Sequence, residues 1–522
     1  MEYTLFKNIT PKDIGRFLHL RGKVETVKQT SGPTLMILSD GTANFTFKAF
    51  IKPGQRAYPE IDTGDFVYIQ AQINERKDSI EGEVRFMKKL SNEEMLKFEK
   101  EIILSNEKKA KPKIENFSIN SKVLDSQKDR FVKIATLIRQ AILEGRPILL
   151  RHNADCDGYS SAITLERAIL EFMDEVTGND IMSRYQNYRR APSKAPFYEY
   201  EDCIKDLTMW LKDKIKNGAK EPLIIITDNG STQEDLLSIK QMKIYECPIV
   251  VVDHHYPGEV KNEKVLVDDY IDAHINPYLT GYDSNVCAGM LGYELARFVY
   301  EKNSNSVFIP AMAAILDHTE GEEKDQYLKK AKDEGFNEEY LANLGEIVDM
   351  QSHFLRFMEG REFIDDLFGL NMSAQKKIVE MLTEELNKKY ESTYAVANYY
   401  TIKEDFKNFY LLMFDGEKGT NRGDYPAIGK STNHIHKKFE EKYDKPIITM
   451  TFGSTFITLR ISDGVKNISV PEFCSYAMKK IPHTKIDGGG HERAGSIKFV
   501  EYGREEVIME FKKYLSEIDK KQ

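Results

Sequence analysis

The first 95 residues alternate between polar and apolar positions, in the manner of half-buried strands. Residues 17–24 alternate, and residues 35–38 follow a Ser31-Gly32-Pro33 turn. Asp40-Gly41-Thr42 marks a second turn before the alternating residues 45–50, and Gly64-Asp65 precedes the apolar residues 66–71. Short strands at this spacing predict a small antiparallel barrel over residues 1–95. Its alternating Phe45, Phe47, Lys48, Phe50 and Lys52 have two readings, as a groove that stacks bases or as plain barrel core.

Residues 96–126 lose that alternation and become rich in Lys, Glu, Ser and Asn, which predicts a helix end and a solvated linker. From residue 127 to 320 the texture changes again. Apolar bursts at 147–150, 223–226 and 249–252 alternate with helical stretches. Continuous β-branched runs of this kind predict buried strands of a parallel α/β sheet. Residues 321–392 are polar and helical and read as a connector. Residues 393–522 return to mixed strand and helix and carry the glycine-rich run Asp487-Gly488-Gly489-Gly490-His491. The expected fold class is therefore α/β, with an N-terminal barrel and a smaller α/β C-terminal domain.

A chain of 522 residues with 41% hydrophobic and 30% charged residues has the balance of a soluble, multidomain protein. No apolar run approaches the roughly 20 residues that span a bilayer, so no membrane partner is expected. The N-terminus lacks the basic and apolar regions of a secretory signal. Five scattered cysteines without a Cys-x-x-Cys pair argue against zinc ribbons and disulfides and agree with a cytoplasmic location. The net charge of −9 rules against nucleic-acid binding through bulk charge. Local basic patches would have to serve instead, and part of the acidity would be metal ligands.

Four clusters carry the candidate chemistry, each read as lying at the end of an apolar strand. They are Arg151-His152-Asn153-Ala154-Asp155-Cys156-Asp157-Gly158, then Thr227-Asp228-Asn229-Gly230, then Asp253-His254-His255, and finally Asp317-His318 after the apolar residues 311–316. Open parallel sheets bind ligands at the carboxyl ends of their strands. Paired carboxylates there need a compensating cation. Carboxylate mixed with imidazole suits Mn²⁺ or Mg²⁺, and several converging carboxylates are what a two-ion phosphoryl centre needs.

The motifs Asp-x-Asp-Gly, Asp-Asn-Gly, Asp-His-His and a later lone Asp resemble, in this order, the DHH phosphoesterases. Gly488-Gly489-Gly490-His491 resembles the signature of the DHH-associated C-terminal domain. The order Gly-x-Val, turn, strand, Asp-Gly-Thr, strand in the first domain resembles an OB fold. An OB-like domain ahead of a DHH domain resembles the archaeal RecJ-like group of single-strand exonucleases. The resemblance implies that Asp155, Asp157, Asp228, His254 and Asp317 hold two Mn²⁺ or Mg²⁺ ions. Asp228 would bridge the ions, while His255 and Asp253 would assist the phosphate chemistry. It also implies that Arg460, Gly489, Gly490 and His491 grip substrate from across a cleft. Arg189 and Arg190, within the cation- and aromatic-rich residues 184–190, are further substrate candidates. Asn276-Pro277 and Cys287-Ala288-Gly289 would support the pocket. Many relatives have a histidine four residues before the first aspartate or an aspartate two before it. Here those places are Arg151 and Asn153, so a metal role for His152 or Asn153 stays open.

The implied activity is release of mononucleotides from single-stranded DNA or RNA, with replication proteins as possible partners. The alternatives are an oligoribonuclease or cyclic-dinucleotide phosphodiesterase, a replisome scaffold, and an inorganic pyrophosphatase. Neither polarity nor the choice of DNA over RNA is encoded in these motifs.

Overall fold

Apolar side chains at every second position of five strands point into a closed barrel. The strands are β1 (Phe17–Gln29), β2 (Thr34–Ser39), β3 (Asn44–Ala49), β4 (Phe66–Arg76) and β5 (Ser79–Lys89), in the order β1-β2-β3-β5-β4 with β4 returning to β1. Leu20, Val24, Met36, Leu38, Phe47, Val67, Ile69 and Met87 fill the interior. The structure is a computed structural model that describes residues 3–76, 79–178, 181–193, 195–217, 219–355, 361–420 and 423–521.

The barrel settles the two readings of the Phe45–Lys52 stretch residue by residue. Phe47 is core, Phe45 packs against that core, and Lys48 pairs with Glu81. Phe50 and Lys52 lie exposed beyond the strand. The expected linker also differs. Its first part is a helix, α1 (Asn92–Ala110), opened by a capping box between Ser91 and Glu94. Phe98, Ile102, Asn106 and Ala110 form a buried stripe at four-residue spacing, the mark of an amphipathic helix. Phe98 and Ile102 pack on Phe66 of the barrel. Its Lys and Glu residues mostly face outward, while Lys109 donates to the Gly41 and Thr42 carbonyls and Glu101 pairs with Arg21 of the barrel.

After α2 (Lys122–Leu143) comes the parallel sheet: β6 (Ile148–His152), β7 (Tyr188–Pro192), β8 (Leu223–Thr227), β9 (Ile249–Val252) and β10 (Ala273–Ile275). Its order is β10-β9-β8-β6-β7, and every adjacent pair is parallel. The crossovers include α3 (Cys156–Thr177), α4 (Ile181–Asn187), α5 (Tyr200–Asn217) and α6 (Leu236–Ile244). β8 and β9 are buried along their whole length, which explains their unbroken Ile and Val runs. The helices α7 (Ala288–Val299), α8 (Phe308–Leu316), α9 (Glu322–Asp333), α10 (Glu338–Leu355) and α11 (Arg361–Leu367) follow.

Barrel and sheet belong to one compact unit, residues 1–375. Lys220 ties them by donating to Glu25 of β1 and to the Glu144 carbonyl. The Arg139 guanidinium donates to the carbonyls of Lys109, Ala110 and Val299, clasping the end of α1.

A second unit covers residues 376–522, the division falling within α12 (Met372–Tyr400). Its strands are β11 (Ile402–Asp405), β12 (Tyr410–Asp415), β13 (Ile447–Phe452), β14 (Phe456–Ile461), β15 (Asp487–His491) and β16 (Ala494–Lys498). They form one mixed sheet in the order β11-β12-β13-β14-β16-β15. The helices α13 (Gly416–Gly419), α14 (Ile428–Lys442), α15 (Val470–Lys480) and α16 (Arg504–Lys521) complete this unit. Leu411, Met450, Leu459, Phe473 and Phe511 anchor its core. The expected α/β class, with a closed barrel ahead of a parallel sheet, is what the structure shows.

Candidate metal centre

In the parallel sheet, the chain steps from β6 outward to β7, then crosses back to β8 on the other side of β6. The carboxyl ends of β6 and β8 therefore flank the point where the winding reverses, the usual ligand position in such sheets. Three of the four predicted clusters leave the sheet there and from neighbouring β9.

After β6, Asp155 is the N-cap of α3, its Oδ1 accepting the Gly158 N–H at 2.9 Å. Asp157 lies in the first turn. Its two oxygens accept the N–H groups of Ala288 (2.9 Å) and Gly289 (2.8 Å) at the start of α7. Residues 287–289 thus support the pocket through their main chain. Gly158 is required by packing, because a Cβ there would stand 2.3 Å from the Asn153 carbonyl oxygen and 2.9 Å from Asp228 Oδ2.

After β8, Asp228 adopts a left-handed backbone (φ +57°), a conformation that Asp tolerates better than most residues. Its side chain is buried, and among the described residues Oδ2 has no hydrogen-bond partner. After β9, the Asp253 Oδ1 accepts from the main chain of His254 (2.8 Å) and His255 (3.2 Å) and from His255 Nδ1 (2.8 Å). The Ser231 N–H binds the other oxygen at 3.2 Å.

His254 joins the clusters. Its Nδ1 donates to the Ser284 carbonyl at 3.0 Å. Nε2, which carries the lone pair when the ring is neutral, lies 3.4 Å from Asp228 Oδ1 and 3.6 Å from Asp157 Oδ2. Metal-binding histidines commonly fix their second nitrogen on a carbonyl in this way. Asp317 Oδ2 lies 3.7 Å from His254 Nδ1. Two groups of donor atoms result, Asp228, His254 and His255 in one and Asp157, His254 and Asp317 in the other. Asp317 was expected at a strand end. It instead caps the C-terminus of α8, because a short apolar run such as residues 308–316 has no periodicity that separates a buried helix from a buried strand.

The electrostatics agree with an incomplete charge balance. Burial, with Asp155 and Asp157 beside it, pushes the Asp228 carboxyl well above the usual carboxylate range. Burial and the same two neighbours push Asp317 to about 7, against the pull of His254. Burial opposes the charged form of His254, but Asp317, Asp228 and Asp157 outweigh it and hold the imidazole well above its ordinary value. Burial also opposes the charged Asp253, yet His255 and His254 keep that carboxyl far below the ordinary range. Crowded carboxylates, one orphaned oxygen and an oriented imidazole form a donor set suited to hard divalent cations.

His152 and Asn153 belong to neither donor group. His152 Nδ1 donates to the Asn153 carbonyl at 2.6 Å, and its ring meets Tyr159 edge-on. Burial and the charges of Arg190 and Arg151 keep it neutral. Asn153 Nδ2 donates to Asp155 Oδ2 at 2.6 Å, so it orients a candidate ligand. Arg151 is committed to a buried ion pair with Asp206, Oδ1 at 2.5 Å and Oδ2 at 2.8 Å.

Residues 184–190, where Arg189 and Arg190 were expected to meet substrate, are partly buried. Arg190 and Tyr188 are buried in β7, both bound to Glu166. Arg184 pairs with Asp174. Arg189 lies on the outer side against Met209. Alternation in a parallel edge strand accounts for this, since successive side chains leave opposite faces.

Sequence reasoning missed the supports behind the donors. Ser231 is held by His274 Nε2 (2.9 Å) and Asn276 Nδ2 (3.0 Å), and His274 Nδ1 reaches Asp268 (3.0 Å). Asp349 of α10 accepts the Cys156 N–H at 2.6 Å. These partners lie far apart in sequence and carry no motif. Asn276 beside Pro277 was the one usable signal.

In the second unit, Arg460 of β14 lines a hollow of about 760 Å³ together with Thr458, Ser496, Lys498 and Gly490. Its Nη1 donates to the Leu459 carbonyl at 2.9 Å and its Nη2 to the Gly429 carbonyl at 3.4 Å, and among the described residues no carboxylate forms an ion pair with it. Gly488 and Gly490 have φ of +142° and +131°, and a Cβ at either would collide with β16 carbonyls at 2.3 and 2.5 Å. Gly489 sits between them in β15, and the side chain of His491 lies outside the described residues.

A parallel α/β sheet with carboxylates and an imidazole converging at its switch point is an arrangement that could hold cations. The particular family follows from comparison. Residues 148–323 match the DHH family, N-terminal domain. The uncharacterized protein MJ1198 of Methanocaldococcus jannaschii is 38% identical over 518 residues, covering 95% of this chain and 68% of that protein. The solved DHH domain of a member of a family of ribosomal proteins superimposes with a TM-score of 0.78 at 35% identity, covering 82% of this chain and 99% of that one. RecJ from Thermus thermophilus, solved with Mn²⁺, shares the fold at a TM-score of 0.50 and 15% identity, covering 77% of this chain and 56% of RecJ. The chain belongs to the DHH family, whose members are generally phosphoesterases.

Proposed function

We propose that this protein is a metal-dependent exonuclease that hydrolyses phosphodiester bonds of single-stranded DNA or RNA to mononucleotides. The observation that carries the reading is the convergence of buried Asp157, Asp228 and His254 with half-buried Asp317, with Asp228 Oδ2 left without a hydrogen-bond partner among the described residues. Asp155, Asp157, Asp228, His254 and Asp317 would hold Mn²⁺ or Mg²⁺, with His254 common to both donor groups and Asp228 in one of them. When bound, such ions supply an activated water and neutralise charge on the phosphate.

The chain's own groups do the rest. Asp157 is oriented by two main-chain N–H groups, and His254 by the Ser284 carbonyl. His255, tied to Asp253 through Nδ1, has Nε2 left to donate a proton to the leaving oxygen. Arg460, without a carboxylate partner among the described residues, suits a substrate phosphate.

Single-stranded oligonucleotides labelled at the 5′ or 3′ end and incubated with Mn²⁺ or EDTA test this reading. A metal-dependent ladder supports the exonuclease, and the label released first gives its polarity. Turnover of dinucleotides alone would replace it with the small-substrate phosphodiesterase. No turnover of any substrate would favour a scaffold.

A further inference from the structure

β10 is an edge strand of the parallel sheet, yet all three of its residues are buried. Ala273, His274 and Ile275 pair with Val250, Val251 and Val252 of β9. An apolar side chain would suit position 274, and burying an imidazole there costs free energy unless its nitrogens are bonded. Both nitrogens are bonded here. Nδ1 donates to Asp268 Oδ1 at 3.0 Å, and Nε2 of the neutral ring then accepts the Ser231 hydroxyl at 2.9 Å.

Serine, histidine and aspartate bonded in this order are the parts of a nucleophilic triad. Ser231 and His274 are only 1% and 2% exposed, however, so substrate has no access to that hydroxyl. The bonds lead inward instead, from Ser231 in two directions. Its Oγ accepts from Asn276 Nδ2 at 3.0 Å, and the same amide nitrogen donates to the His255 carbonyl at 2.9 Å. The Ser231 N–H meets Asp253 Oδ2 at 3.2 Å. Asn276 Oδ1 accepts the Tyr278 N–H at 3.0 Å, which holds the amide in this orientation.

Ser231 stands three residues after Asp228 in the loop that leaves β8, while Asp253 and His255 lie in the loop that leaves β9. His274 therefore ties together the two loops that carry Asp228 and His255. The other donors are held separately. Asp157 rests on the N–H groups of Ala288 and Gly289, the His254 ring on the Ser284 carbonyl, and Asp317 on the end of α8. From this geometry we infer that His274 is a positioning residue for the donor group of Asp228, His254 and His255, and not for the group of Asp157, His254 and Asp317. The inference rests on the proposed function for the identity of the ions. Removing the ring takes away the acceptor of the Ser231 hydroxyl, and the two loops lose their common anchor.

The test is a calorimetric titration of Mn²⁺ into the full chain without substrate, with thermal melts to confirm folding. The parent should bind two ions. Partners behind metal ligands are worth about 10- to 100-fold in affinity, so His274→Phe should weaken one ion by that factor and leave the other unchanged. Ser231→Ala removes a single hydroxyl and should give the same selective loss, and it decides the matter if His274→Phe fails to fold. Combining the two should add little, since both act through one bond. His274→Gln, whose Oε1 can accept from Ser231, should recover part of the loss. Equal weakening of both ions, or unchanged affinity in Ser231→Ala, overturns the inference. Selective weakening in a protein that hydrolyses no oligonucleotide keeps this inference and removes the proposed activity. A parent that binds no Mn²⁺ overturns both.

Discussion

The Asp253 carboxylate accepts a hydrogen bond from His255 Nδ1 at 2.8 Å while also receiving the N–H groups of both following residues. One aspartate therefore sets the loop, the ring orientation and the tautomer of His255. Asp253→Asn offers an amide in place of the carboxylate and weakens each of these. Removing the orienting acid from such a pair costs several orders of magnitude in other hydrolytic sites. We expect kcat to fall at least 100-fold with KM little changed, read from initial rates on a labelled oligonucleotide.

Asp228 is a buried carboxyl with one oxygen that has no hydrogen-bond partner among the described residues. Burial and its carboxylate neighbours penalise its ionised form, so Asp228→Asn removes a repulsion from the metal-free protein. In EDTA, this variant should melt no lower than the parent. With Mn²⁺ at about 100 times its Kd, the parent should gain about 2.7 kcal/mol, and the variant clearly less. Thermal melts of both proteins, with and without metal, check this.

Arg151 stands where many relatives have a histidine, and here it is buried against Asp206, with Asp202 at 3.6 Å. Breaking a buried pair by removing one partner costs about 3–5 kcal/mol. Asp206→Ala should destabilise the protein by about that much in urea denaturation. The double replacement Arg151→Met with Asp206→Leu should recover only part of the loss, since buried Asp202 still loses the Arg151 charge 3.6 Å away.

The second unit should weaken in acid. Burial, helped by the charge of Arg460 and opposed by Glu440, lowers His436 from 6.5 to about 4. The unfolded chain takes up this proton below pH 6.5 and the folded chain only near 4. The stabilisation is therefore full above pH 6.5 and is lost as pH falls toward 4, by an amount on the order of 3 kcal/mol. Denaturation across that range should show the loss, and His436→Gln should flatten it.

How much of this was legible in the sequence varies with the kind of signal. The runs ending at Leu150, Ile226 and Val252 announced a parallel sheet because strands buried on both faces have no polar positions to spare. Asp155, Asp157, Asp228 and His254 were legible because each follows such a run at the end where sheets bind ligands. Other features were not. Asp317 follows an apolar run of the same character, yet that run is a helix. Helix α1 was hidden by its Lys and Glu surface, although Ser91, Glu94 and the Phe98–Ala110 stripe were there to read. Arg190 looked like a substrate contact, and only the pairing of β7 with β6 shows that it faces Glu166. Supports such as Ser284, Ser231 and Asp349 depend on tertiary approach across long separations, which local pattern does not record.

The most direct test of the metal-centre account compares hydrolysis of a single-stranded oligonucleotide by the parent and by Asp228→Asn, each with Mn²⁺ and with EDTA. The account predicts cleavage by the parent with Mn²⁺, none in EDTA, and a loss of at least 1000-fold, about 4 kcal/mol of barrier, in a variant that remains folded. Full activity in folded Asp228→Asn, or cleavage that persists in EDTA, would contradict it.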